Sequence, residues 1–176
     1  MAIRKPEILS SSVQKANLWL KDVERELHDS NRLKAYSTLR AVLHALRDSL
    51  PVYEAAHLAA QMPLLVRGIF FDGWKPRPKP ARLDKQQFYG RIRTELRNQS
   101  GLDPALAAAA VIRTLYLHIS AGELATIRDV LPREMRGLWE EIVESVGDSF
   151  RTRIEEPALR GRHAVRPSAG QPSAGV

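Results

Sequence analysis

Apolar positions recur along this chain at alternating steps of three and four. Val13, Ala16, Leu20, Val23 and Leu27 share one face of a helix. Asp29-Ser30-Asn31 then supplies a stop and a cap for a second helix, whose apolar face is Tyr36, Leu39, Leu43, Leu46 and Leu50. Pro51 and Glu54 open a third helix, where a missing N–H costs nothing because the first amides of a helix have no partner. Pro63 opens a fourth. Period-two alternation and tight hairpin signals are absent, so the pattern predicts an all-α fold.

The pattern then repeats. A shift of 69 residues aligns 19–70 with 88–139 without a gap. Identities include Glu26/Glu95, Leu27/Leu96, Ala41/Ala110, Val42/Val111, Leu46/Leu115, Glu54/Glu123, Pro63/Pro132, Arg67/Arg136 and Gly68/Gly137. Apolar positions are exchanged for apolar ones, as in Trp19/Phe88, Val23/Ile92 and Phe70/Trp139. Matches placed where a buried face needs them predict a tandem duplication of a four-helix unit, packed as one helical body. The expected organisation is an N-terminal arm over 1–12, repeat 1 over 13–71, a connector over 72–84, repeat 2 over 85–148 and a disordered tail over 149–176. In repeat 2 the second helix, PALAAAAVIRTLYLHI, has Arg113 as its one charge and belongs at the centre of the body. Its third helix opens on Ser120-Ala-Gly-Glu123, a capping box in which Ser accepts from a free amide and Glu reaches back.

Composition changes the picture by exclusion. The chain has 176 residues and no cysteine, which removes disulfides, thiol nucleophiles and cysteine zinc sites. No apolar run approaches the length that spans a bilayer, and the first residues lack the apolar core of a secretory signal. A cytoplasmic location is expected. The formal net charge is +7. It sits on the connector region, where Lys75, Arg77, Lys79, Arg82 and Lys85 face Asp72 and Asp84, and on the tail with Arg151, Arg153, Arg160, Arg162 and Arg166. Such charge favours weak, salt-sensitive attraction to polyanions. The alternating prolines of FDGWKPRPKPARL favour extended polyproline geometry, and Trp74 is expected to dock on a repeat.

HISAGELATIRDVLPREMRGLW (118–139) and its weaker copy LPVYEAAHLAAQMPLLVRGIFFDGW (50–74) carry a Glu-bearing short helix, a Leu-Pro step and an Arg-containing helix ending near an aromatic. This pattern, with Gly73-Trp74 before the prolines, resembles the bacterial domain-of-unknown-function 2267 family over about 13–145. Pro51 in place of the capping Ser and Met62 in place of Leu are departures in repeat 1. The resemblance implies a helical fold, and carries over no activity, cofactor or catalytic residue.

No motif for chemistry stands out. Glu54-Ala-Ala-His57 has the spacing of a metal half-site, but repeat 2 holds Thr126 where the second histidine belongs. Nucleophile elbows and Gly-rich phosphate loops are absent. No residue is assigned as catalytic, cofactor-binding or metal-ligating. The repeated pairs Arg67/Arg136, Glu54/Glu123 and Glu26/Glu95 are candidates for an anion site or for structural pairing. The structural reading has the Glu capping a helix start, and each Arg partly buried and bound to a carboxylate or helix-end carbonyl of its own repeat. Gly68 and Gly137 would then admit a neighbouring helix closely. Elimination leaves a non-enzymatic interaction or scaffold protein with a protein partner. The alternatives are a small-ligand or anion-binding regulatory module between the repeats, and a weak nucleic-acid or membrane-surface tether through the connector and tail.

Overall fold

The computed structural model describes residues 7–97 and 101–145. These lie within a compact unit, 1–145. The expected disordered tail falls outside the described residues, as do the first six residues of the expected arm.

Among the described residues there are eight helices and no strand. The first four are α1 (Glu7–Glu26), α2 (Arg32–Ser49), α3 (Val52–Ala60) and α4 (Leu64–Phe71). The second four are α5 (Lys85–Glu95), α6 (Pro104–His118), α7 (Ala121–Val130) and α8 (Arg133–Glu144). Residues 7–12, read from the sequence as part of an arm, are the first turns of α1. Glu7 favours the positive end of the helix dipole, and the Ser12 hydroxyl donates to the Ile8 carbonyl at 2.7 Å.

The starts of the helices follow from local chemistry. Asn31 caps α2 by accepting from the Lys34 amide at 3.0 Å. Asp84 and Gln87 form a reciprocal capping box on α5. Asp103 caps α6, with Pro104 at its first position. Pro63 and Pro132 stand at the N-caps of α4 and α8 with nearly the same backbone angles.

The two sets of four helices make corresponding contacts. α1 packs on α2, α4 and α6, and α5 packs on α6, α8 and α2. α2 meets α4 as α6 meets α8, while α2 meets α6 and α3 meets α7 across the middle. This correspondence is compatible with tandem duplication. The core lies between α2 and α6. Leu39, Val42, Leu43 and Leu46 of one face Ala107, Ala108, Val111, Ile112 and Leu115 of the other set, all buried. Small residues on α6 let several helices crowd it, which is why a helix apolar on nearly every side sits at the centre. Trp19, Phe70, Phe88 and Trp139 are buried in the same core.

Candidate functional site

The candidate residues read from the sequence have separate fates. Arg67 is half buried and caps α3. Its Nε donates to the Ala59 carbonyl at 2.9 Å, and Nη2 donates to those of Ala60 and Met62 at 3.2 Å each. The last carbonyls of a helix lack intrahelical partners, and a cation suits them twice over. Arg136 is half buried too, but it makes no side-chain hydrogen bond or ion pair with a described residue. The role expected of Gly68 and Gly137 fails at both, since a Cβ at either would meet nothing within 4 Å. No helix approaches closely there. Arg67→Ala is expected to cost about 1–3 kcal/mol by stranding its carbonyls. Arg136→Ala is expected to stay within about 0.5 kcal/mol of wild type. Urea melts of the two variants check this difference.

The repeated acids find other partners. Glu26 lies 3.7 Å from Arg113 of α6. Glu95 pairs with Arg40 and lies 3.9 Å from His44, both of α2. Positions 44 and 113 are equivalent under the 69-residue shift, so each outer helix aims its conserved-register acid at the central helix of the opposite set. Burial pushes the His44 imidazole below its ordinary value, with Arg47 and Arg40 adding repulsion against the favourable Ile69 carbonyl and Glu95. The Ile69 carbonyl can only accept, so His44 Nε2 carries a proton and donates it at 2.8 Å.

Glu54 and Glu123 do not cap. Pro51, the N-cap of α3, has no N–H for Glu54 to accept from, and Glu54 Oε2 is buried with no hydrogen-bond partner. Ser120 does accept from the Glu123 amide, at 3.3 Å. The Glu123 carboxylate reaches instead to His57 of α3, 3.5 Å from Nδ1. Among the described residues no three His, Asp or Glu side chains converge as a metal set. At the far end of α6, His118 stacks on Trp19 with ring centroids 4.7 Å apart and bonds Asp22 at 2.7 Å. Burial alone would raise the Asp22 carboxyl, but its bond to His118 and the Arg25 charge hold it below the usual range.

Three of the pockets formed by the described residues are lined by neither Arg67 nor Arg136. Positive charge converges elsewhere, under the connector. A pocket of about 230 Å³ is roofed by Gly73–Lys75, Arg77 and Lys79–Ala81, and floored by Arg47 and Asp48 of α2 and Arg91 of α5. Five cations and one carboxylate line it.

Asp48 builds this floor. Its carboxylate accepts from Arg47 Nε at 2.9 Å and from Arg91 Nη1 at 3.2 Å, so one anion braces two guanidinium groups from opposite sets. The Asp48 carbonyl accepts from the Ala81 amide at 2.9 Å, which ties down the connector. Arg47 is buried, with Nη1 donating to Phe70 at 2.7 Å and Asp72 at 3.2 Å. Trp74, expected to dock, does so: it stacks on Phe71 at 5.1 Å, and the Arg47 guanidinium carbon lies 5.9 Å from its ring centre. Lys75, Arg77 and Lys79 make no hydrogen bond or ion pair with a described residue. The sequence marked the basic roof but gave no weight to Arg47, Asp48 or Arg91. A single Arg in the last turn of an otherwise apolar helix face was the available signal.

The described residues are all-helical, and residues of both four-helix sets and the connector line a cationic pocket. Residues 16–138 match the family described as uncharacterized conserved protein (DUF2267), and the chain belongs to that family. No curated protein matches it. No helix among the described residues is long and apolar enough to cross a membrane.

Proposed function

We propose that the protein is a cytoplasmic, non-enzymatic anion-binding module. The observation that carries this is the convergence of Arg47, Arg91, Lys75, Arg77 and Lys79 on one pocket lined by both helical sets. Like charges held together repel one another, and an anion between them relieves that repulsion. The one carboxylate of the lining, Asp48, is committed to Arg47 and Arg91, which favours binding over turnover. The nucleic-acid or membrane tether reading shares the basic connector, but a bounded pocket suits a small anion better than a long polymer. In the variant Lys75→Gln/Arg77→Gln/Lys79→Gln, the thermal stabilisation that inorganic phosphate-type anions give to the wild type should be lost. Helicity should be unchanged, because these side chains bond no described residue. Equal stabilisation of both proteins would defeat the proposal.

A second reading, an interaction surface for another protein, draws on α1. Ile8, Leu9 and Val13 flank its core-facing stripe yet are at least half exposed. A second copy of the chain is the simplest partner for them. Sedimentation should then show a concentration-dependent mass that Ile8→Glu/Leu9→Glu abolishes, and a wild type that stays monomeric defeats this form of it.

A further inference from the structure

Resting on the anion-binding reading, we infer that the pocket takes a condensed phosphate, a phosphoanhydride of at least two phosphoryl groups, held by its phosphates alone. Three features of the lining select this ligand.

The first is the distribution of charge. The cations come from two places: Arg47 and Arg91 share the Asp48 carboxylate, and Lys75, Arg77 and Lys79 belong to the connector. Five cations against one carboxylate leave an excess of positive charge. A single phosphoryl group neutralises part of it, and two joined groups neutralise more. Arg91 bonds Asp48 through Nη1, and its Nε and Nη2 bond no described residue, which leaves donors of the planar fork for a phosphate oxygen. Asp48 is a positioning residue: it holds the two guanidinium groups at the floor.

The second is size. A pocket of about 230 Å³ has more room than one phosphoryl group needs.

The third is what the lining lacks. Apart from its charged residues it contributes Leu50, Val52, Gly73, Trp74, Pro80 and Ala81, with no Asn, Gln, Ser or Thr to read the edge of a base. The Trp74 ring is engaged by Phe71 and Arg47. Asp48 is taken by Arg47 and Arg91, and the remaining charged side chains are cations suited to phosphate oxygens, so the phosphates carry the binding.

Calorimetric titration of the full chain tests this with inorganic diphosphate, tripolyphosphate, orthophosphate, ADP and a single-stranded oligonucleotide as probes. Diphosphate and tripolyphosphate should bind at least about tenfold more tightly than orthophosphate, since each added charge gains from the same fixed cations. ADP should match diphosphate within about threefold, a base contributing nothing beyond it. Affinity should fall with added salt. Arg91→Gln, a half-exposed substitution at the floor, should remove the preference for diphosphate, with folding checked by helicity. Orthophosphate binding as tightly as diphosphate overturns the inference while the anion-binding reading stands. No binding by any anion overturns both. ADP or the oligonucleotide binding far more tightly than diphosphate overturns it in favour of nucleotide or nucleic-acid recognition.

Discussion

Trp139→Ala is expected to cost about 3–5 kcal/mol, the usual loss for a large buried ring. Trp139 is 1% exposed on α8, packs in the central core and donates from Nε1 to the Tyr116 hydroxyl at 2.9 Å. Single domains have about 5–15 kcal/mol in total, so the variant approaches the edge of folding. Trp139→Phe is the informative companion. The other helical set places Phe70 at the equivalent buried position, so a smaller ring suits this architecture. That variant loses the Tyr116 bond and some packing, at about 1–2 kcal/mol. Urea denaturation followed by far-ultraviolet circular dichroism measures both. A loss below about 1 kcal/mol in the alanine variant would contradict the burial of Trp139.

Arg47→Met is expected to cost about 2–4 kcal/mol and to abolish anion binding together. The side chain is buried, and its removal strands the carbonyls of Phe70 and Asp72 and one oxygen of Asp48. The methionine fills much of the space, so the loss comes from the stranded polar groups more than from packing. Asp48 keeps its bond to Arg91, but the floor loses one of its two cations. Arg47→Lys should recover part of the stability, because an ammonium reaches one carbonyl but cannot copy the planar fork. A methionine variant as stable as wild type would show that Arg47 does not hold α2 to the end of α4.

Much of this architecture was legible in the residues. The three-and-four spacing of Leu39, Leu43 and Leu46, and the nearly uncharged run from Pro104 to His118, mark the two helices that form the centre. Asn31, Pro63 and Pro132 mark helix starts because helix-start chemistry is local. The site was less legible, because its parts come from distant segments. Arg91 meets Asp48 across 43 residues of sequence, and no periodicity encodes that contact. Repetition misled at Arg136, whose neighbours match those of Arg67 but which bonds no described residue. It misled again at Glu123, where His57 offers a better partner than the helix start. At Glu54 the answer was available in advance: Pro51 has no N–H, so no capping box could close there.

The most direct test of the central claim is a map of backbone amide shifts on titration with inorganic diphosphate. The account predicts perturbations concentrated at Arg47 and Asp48, at Gly73–Lys75, Arg77, Lys79 and Ala81, and at Arg91, the segments that line one pocket from both helical sets. Shifts centred on Arg67, on Arg136 or on α1, or no saturable shift at all, would contradict it.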